Sequence, residues 1–410
     1  MGLVTNCRSC GGALSVTMAD LGLQPASNAF LADSAAIAGE KRYPLRAKVC
    51  EVCKLVQVDY DVPREELFSN YVYFSSYSDD WLAHAVRYCE MARQRFALGS
   101  QSLVVELASN DGYLLKNFVA MGIPVLGIDP SDTVAAAAQQ LGVPTLVEFF
   151  GLKAADRLAR ERQADLIIGN NVLAHVPDLN DFVAGIARLL KPSGSVTIEF
   201  PHLLELIEHV EFDTIYHEHY SYISLLAIEK VFARHGLRLY DVETLATHGG
   251  SLRIFASHRA RPGLEDSAKL IELRAREREA GLDELATYTR FARRVEECRD
   301  SLREFLTRCR HEGKAVAAYG AAAKGNTLLN YCAVTAREIT MVGDRNPHKQ
   351  SKLTPGTHIP VVSPEALMQA RPDYVLILPW NLEREIRSQL KDIETWGARF
   401  VTPVPLTRVH

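Results

Sequence analysis

A chain of 410 residues exceeds what one hydrophobic core usually supports, so two or three domains are expected, each able to bury its own core. With 46 Lys and Arg against 50 Asp and Glu, the formal charge is −4 and no long basic run is present, which excludes nucleic acid or an anionic membrane as the main partner. Residues 1–6 have neither a basic nor an apolar leader character, and no window approaches the roughly 18 apolar residues of a spanning helix. The expected location is the cytoplasm.

Eight cysteines in so long a chain do not make a disulfide framework. Cys7-Arg8-Ser9-Cys10 and Cys50-Glu51-Val52-Cys53 are instead two CxxC knuckles, the spacing of a closed tetrahedral site in which Cys7, Cys10, Cys50 and Cys53 hold a structural zinc ion. A tyrosine- and serine-rich patch follows at 67–78. The spacing of Trp81, Ala85, Tyr88 and Ala92 then predicts a helix over 80–96.

From residue 101 to about 200 strands and helices alternate. Strands are expected at 103–107, 125–128, 164–171 and 195–200, with helices between them, which predicts a doubly wound α/β sheet. Asn170 and Asn171 fall at one strand tip, followed by His175-Val176-Pro177-Asp178 and then Leu190-Lys191-Pro192-Ser193-Gly194. Beyond the last of these strands come Glu199-Phe200-Pro201-His202 and the run Asp213-Thr214-Ile215-Tyr216-His217-Glu218-His219-Tyr220-Ser221-Tyr222. Imidazoles, phenols and carboxylates packed this densely, entered from an apolar strand, suit proton transfer and oxyanion stabilisation. In an open α/β sheet, reacting groups belong beyond the strand tips.

A helix over 224–235 precedes an antiparallel hairpin of 237–245 and 251–257, where Gly249 and Gly250 serve the turn and His248 reads as a bystander. Residues 264–310 are charged and helical with a break at Gly281, and their charges are expected to form a solvated face between domains. A second βαβ pattern begins at 315–327, where a strand leads into Gly320-Ala321-Ala322-Ala323-Lys324-Gly325-Asn326-Thr327. A glycine turn opening a helix can bind a diphosphate through its backbone amides, with Lys324 as counter-charge. Further strands end in Asp344 and in Pro379-Trp380-Asn381.

The stretch 103–200 resembles the class I S-adenosylmethionine (SAM) methyltransferases, although Ala108 and Ser109 stand where two turn glycines are usual. The resemblance implies that Glu106, Asn110, Gly112, Asp129, Asn170 and Asn171 hold SAM, with the acid near the first turn by the methionine amino group and Asp129 on the ribose hydroxyls. Taken with the cysteine knuckles, the 213–222 run and Gly320–Thr327, nearly the whole chain resembles the nucleotide-sugar C-methyltransferases of deoxysugar biosynthesis.

That family implies an α/β fold in parts: a zinc module at 1–66, a Rossmann-like methyltransferase domain at 67–263, a helical connection at 264–312 and a second Rossmann-like domain at 313–410. It also implies SAM and zinc as cofactors and methylation at C-3' of a dTDP-4-keto-deoxysugar; charge and hydropathy lead one to expect neither nucleic acid nor membrane as partner, and a monomer is expected. His219 is the base by resemblance, although His217 fits the spacing equally. Tyr216, Glu218, His175 and Tyr73 would assist it, with Tyr71 and Tyr77 close to Tyr73. Tyr220, Tyr222, His202, Gly320, Lys324, Asn326, Asp344 and Asn381 are expected at the sugar nucleotide. Competing readings are an N- or O-methyltransferase on the same sugars, a zinc-ribbon RNA-binding methyltransferase, and a silent nucleotide-binding protein.

Overall fold

The computed structural model describes residues 2–63, 67, 76 and 79–410, so the expected site residue Tyr73, with Tyr71 and Tyr77, lies outside the described residues. Three sheets carry the chain. The first begins with β1 (Val16–Gln24), β2 (Tyr43–Val49) and β3 (Val56–Val58), all antiparallel. The two cysteine knuckles lie at its end. Each turns back through one left-handed residue, Gly11 at φ +73° and Lys54 at φ 65°.

The second sheet is the expected doubly wound one. Its parallel strands are β4 (Val104–Leu107), β5 (Val125–Asp129), β6 (Thr145–Val147), β7 (Ala164–Asn170) and β8 (Leu190–Pro201). Near-continuous apolar strands such as β4, buried throughout, are what a sheet covered on both faces requires. After β8 the chain leaves this sheet. Its next strand, β9 (Ser221–Tyr222), pairs with β3 of the first sheet, Val56 opposite Tyr222 and Gln57 opposite Ser221. The chain then returns as β10 (Leu237–Leu245) and β11 (Ser251–His258), which close the second sheet in the order β10-β11-β8-β7-β4-β5-β6.

The third sheet comprises β12 (Val316–Tyr319), β13 (Val342–Gly343), β14 (Val361–Val362), β15 (Tyr374–Ile377), β16 (Arg399–Thr402) and β17 (Arg408–Val409), ordered β14-β13-β12-β15-β16-β17 with only the last pair antiparallel. Leading into it is the helix Leu285–His311, which differs from the solvated connection that its charges suggest. Tyr288, Phe291, Val295, Leu302 and Phe305 are buried along one face. The i, i+3, i+4 spacing of these residues makes a core stripe, and the charges occupy the remaining face. One apolar cluster runs from Met18, Leu45 and Val56 through Leu206 and Phe212 to Phe291 and Leu302, and on to Val316 and Leu328. The first and third sheets therefore share a core with the segment that follows β8.

Because β9 is the edge strand of the sheet carrying the knuckles, loosening the knuckles should release the 213–222 segment. Cys50→Ser is expected to lower Tm and to speed amide hydrogen exchange at Val58, whose N–H donates to Tyr220 O at 3.1 Å. A lowered Tm with unchanged exchange at that amide would show the two to be independent.

Candidate active site at the strand tips

Parallel β4, β5, β7 and β8 end at the same edge, and the polar atoms gathered there are largely unsatisfied. Among the described residues, Glu106 Oε2, Ser109 Oγ, Asp111 Oδ1, Asn170 Oδ1 and Asn171 Oδ1 are buried without a hydrogen-bond partner. Orphaned buried oxygens are costly in an isolated protein and need explaining. A ligand rich in ammonium, hydroxyl and amine donors satisfies them, which is the donor set of SAM. Burial pushes the Glu106 carboxyl well above its ordinary 4.5 and raises Asp129 as well. Asp129 accepts from the N–H of Asn110 at 3.0 Å and of Ser131 at 2.9 Å, which clamps the β4 turn to the end of β5.

That turn is tight. Ala108 and Asn110 take φ 55° and 50°, and Gly112 is at φ +76°. At Gly112 a Cβ would lie 3.1 Å from Ala138 Cβ, so the glycine is required by the helix packed on it. Ala108 occupies a left-handed position that glycine would take more readily, which is why the glycine pattern of this turn is only partly visible in the sequence. Asp111, absent from the expected set, accepts from the Ser76 N–H at 3.1 Å and belongs to the same group of oxygens.

The 213–222 segment separates its histidines. His219 Nδ1 is 3.0 Å from Thr214 O. A carbonyl only accepts, so Nδ1 carries the proton and Nε2 is left as a lone-pair acceptor. The Tyr216 ring lies 4.0 Å from the His219 ring, His175 stands edge-on at 4.7 Å and Tyr222 at 6.2 Å. Burial, with the neighbouring His175 next, lowers the His219 imidazole well below its ordinary 6.5. His217 points the other way. Its Nε2 donates to Pro44 O at 3.2 Å in the first sheet, and burial lowers its pKa to about 4. The geometry thus separates two rings that sequence spacing leaves equivalent.

Glu218 is buried and bonded to the loop after β1, accepting from Asn28 Nδ2 at 2.8 Å, and burial raises it to about 7. Burial lowers His175 to about 4. Tyr222 Oη accepts from the Tyr216 N–H at 3.2 Å. Tyr220, expected at the substrate, instead lies under the Arg8 guanidinium, 5.0 Å from its ring centre. Alternation along a short extended segment sends Tyr220 to the side opposite His219. His202 is set apart as well. It is almost fully buried and its Nε2 is 2.7 Å from Glu277 Oε1, whose carboxylate also caps the amides of Leu225 and Leu226.

The third sheet approaches the same tips, but its glycine turn differs from expectation. The Ala321 N–H donates to Asp344 Oδ2 at 2.6 Å and the Ala322 N–H to Gly320 O at 2.8 Å, so two of the amides expected to meet a diphosphate are engaged internally. A Cβ at Gly320, φ +87°, would lie 2.4 Å from Pro379 Cδ, which accounts for that glycine by packing. Asn326 donates to Ser27 O at 2.8 Å and so ties this helix to the first sheet's loop. Lys324 Nζ donates to Asn381 Oδ1 at 2.8 Å and sits 4.3 Å over the Trp380 ring. Trp380 Nε1 in turn donates to Asp213 Oδ2 at 2.8 Å. Burial lowers the Lys324 ammonium while Asp213 and Glu211 raise it, so these acids supply its counter-charge.

Beyond the first sheet's end, Cys7 Sγ–Cys53 Sγ is 3.4 Å and Cys10 Sγ–Cys50 Sγ 3.3 Å, with all four sulfurs within 4.8 Å of one another. Tetrahedral thiolates at a Zn–S length of about 2.3 Å stand about 3.8 Å apart, so this cage fits zinc. Gly12 keeps it open, since a Cβ there would lie 3.3 Å from Cys10 Sγ and 3.2 Å from Val52 Cγ2.

Comparison with known proteins agrees with this architecture. The chain is 36% identical to the C-methyltransferase NovU of Streptomyces niveus, over 99% of its own length and 97% of that protein's. It belongs to the C-methyltransferase family. Family models match in three parts: "Putative zinc binding domain" at 7–68, "Methyltransferase domain" at 81–242 and "C-methyltransferase C-terminal domain" at 246–405. The Ubiquinone biosynthesis O-methyltransferase of Rhodopseudomonas palustris (strain BisA53) is 30% identical over 23% of this chain and 38% of its own. The solved magnesium protoporphyrin IX methyltransferase (ChlM) from Synechocystis PCC 6803 with bound SAM is similar at 17% identity and TM-score 0.33, covering 44% of this chain and 78% of its own. The C-methyltransferase described here is a SAM-dependent enzyme whose four cysteines form a zinc-binding site.

Arg8, inside the first knuckle, joins that zinc site to the active-site segment. Besides covering Tyr220 it pairs with Asp61 and donates to Pro177 O at 3.2 Å, while Asn180 Nδ2 donates to Arg8 O at 3.0 Å. Arg8→Met is expected to cost about 1.5–3 kcal/mol, the range for hydrogen bonds to charged groups, in urea unfolding of the full chain. Zinc content should stay at the wild-type level; stability unchanged within about 0.5 kcal/mol would remove this link.

Proposed function

We propose that this C-methyltransferase acts at C-3' of a dTDP-linked 4-keto-deoxysugar, and that His219 generates the nucleophile. The observation that carries the reading is the Nδ1–H bond to Thr214 O at 3.0 Å, which leaves His219 Nε2 as the acceptor. A proton next to a ketone is weakly acidic, so carbon methylation needs a base that is unprotonated near neutral pH. Burial meets that need by disfavouring imidazolium in the resting enzyme. When the proton leaves C-3', its electron pair moves toward the C-4' oxygen. The anion that results then favours the imidazolium that a resting site would not.

Tyr216 and His175 bracket the ring and keep it aligned, with Tyr73 assigned to the same wall by resemblance. Glu218 would support the ring or the sugar oxygens. Glu106, Asn110, Gly112, Asp129, Asn170 and Asn171 would hold SAM, which supplies the electrophilic methyl group. Tyr222, Lys324 and Asn381 would face the sugar nucleotide, and Gly320, Asn326 and Asp344 would shape the turn behind them.

In heavy water the enzyme should exchange the C-3' proton of a dTDP-4-keto-deoxysugar for deuterium, followed by NMR. His219→Ala should slow exchange by about 10²–10⁴-fold, the usual contribution of a general base, while His217→Ala keeps it. Exchange confined to C-5', the other carbon beside the ketone, would overturn the C-3' assignment, and full exchange in His219→Ala would overturn the base.

The base must be neutral to act, so activity is lost as pH falls through its folded pKa. That value lies below 6.5, so kcat/KM should be flat through pH 6.5 and above on this account and fall only on the acid side of it. An acid limb centred above pH 7 would contradict the assignment of a buried neutral imidazole.

A further inference from the structure

The turn between β10 and β11 holds an imidazole that this mechanism has not used. His248 lies at φ 57°, ψ 20°, a left-handed conformation uncommon for residues other than glycine, next to Gly249 at φ +97° and Gly250 at φ +138°. Three neighbouring elements fix the turn there. Thr247 Oγ1 donates to Glu199 Oε1 at 3.1 Å at the tip of β8. A Cβ on Gly249 would lie 2.5 Å from Glu211 Oε1 and 2.9 Å from Trp380 Cη2, so the turn is pressed against both the segment after β8 and the third sheet. Strain held in place by its surroundings is found at functional sites.

The ring itself stands edge-on to Trp81 at 5.6 Å, and Trp81 stacks on Tyr113 at 5.9 Å, on the cofactor side. The residue is exposed at the surface of the turn, and the protein packed beside its ring lowers its pKa to about 4. The Lys324 ammonium lies 4.3 Å over the Trp380 ring, the same indole that Gly249 is pressed against, so the turn and Lys324 share a neighbour. Other imidazoles nearby are committed: His219 Nδ1 to Thr214 O, His217 Nε2 to Pro44 O, His84 Nε2 to Glu199 and His202 Nε2 to Glu277. Among the described residues, neither ring nitrogen of His248 has a hydrogen-bond partner.

We propose that His248 is a further catalytic residue whose neutral ring N–H donates a hydrogen bond to the substrate's C-4' oxygen as enolate charge develops. The inference rests on the proposed enolate chemistry. The C-3'–H bond breaks, its proton goes to His219 Nε2, and its electron pair forms the C-3'–C-4' double bond as charge passes to the oxygen. His248 keeps its proton and shares it. A preorganised donor aimed at a developing oxyanion is the kind of group whose removal slows catalysis by about 10²–10³-fold.

The test uses the full-length enzyme and two variants. Glycine relieves the left-handed strain and removes the donor, whereas asparagine tolerates the conformation and retains an N–H. His248→Gly is expected to raise Tm and slow deuterium exchange into a dTDP-4-keto-deoxysugar by about 100-fold, with SAM affinity by calorimetry unchanged. His248→Asn is expected to recover at least tenfold of that loss. Exchange by His248→Gly at the wild-type rate would overturn the inference alone, provided that wild type exchanges and His219→Ala does not. Slower exchange accompanied by a lower Tm and weakened SAM binding would make the residue structural and also overturn it. Absence of exchange in wild type would overturn both this inference and the enolate reading.

Discussion

The hydrogen bond from His219 Nδ1 to Thr214 O decides which nitrogen of that ring is left as an acceptor, and the proposed chemistry depends on it. It is a local interaction, closed within one loop, and it does two things. It fixes the tautomer, so the lone pair is on the outer nitrogen, and it fixes the ring plane against Tyr216 at 4.0 Å. A loop alone would hold such a bond poorly, because ordering several exposed residues costs conformational entropy. Here the loop is tied on every side: Tyr220 N–H to Ala174 O at 2.7 Å, β9 to β3 of the zinc module, and Asp213 to Trp380 of the third sheet.

This explains why a methyltransferase domain carries two additional modules fused to it. The first sheet lacks its fourth strand until the active-site segment supplies β9, so the zinc knuckles and the site form one hydrogen-bonded unit. The third sheet contributes Lys324 and Trp380, which neutralise and bond the acids Glu211 and Asp213 beside the loop. The apolar cluster shared by the outer sheets and the helix Leu285–His311 makes these contacts parts of one core. The four-cysteine cage thus lies at the end of the sheet that β9 completes.

Much of this was legible in the sequence because it depends on local pattern. Period-two and apolar runs marked β4, β5, β7, β8, β10 and β11, and CxxC spacing marked a cage whose sulfurs do come together. What was not legible depends on which way a side chain turns after the chain has folded. His202 and Tyr220 sit in a polar, aromatic run yet are engaged by Glu277 and Arg8 from distant parts of the chain. His248 read as a bystander because glycines explain a hairpin turn, while the left-handed strain on the histidine itself exists only in three dimensions. The charges of 268–311 masked a buried stripe, since a helix can satisfy solvent on one side and a core on the other. Asp344 and Lys324 resemble ligands for a diphosphate, but much of their hydrogen bonding and charge is directed within the protein.

The account therefore depends on the protonation pattern of one ring, and that pattern is directly measurable. Two-bond ¹⁵N–¹H correlation spectra of histidine-labelled enzyme at pH 7, with His219→Gln to assign the signal, report the tautomer of each imidazole. The structure predicts a neutral His219 with its proton on Nδ1 and an unprotonated Nε2. An imidazolium signal, or a neutral ring protonated at Nε2, would contradict it.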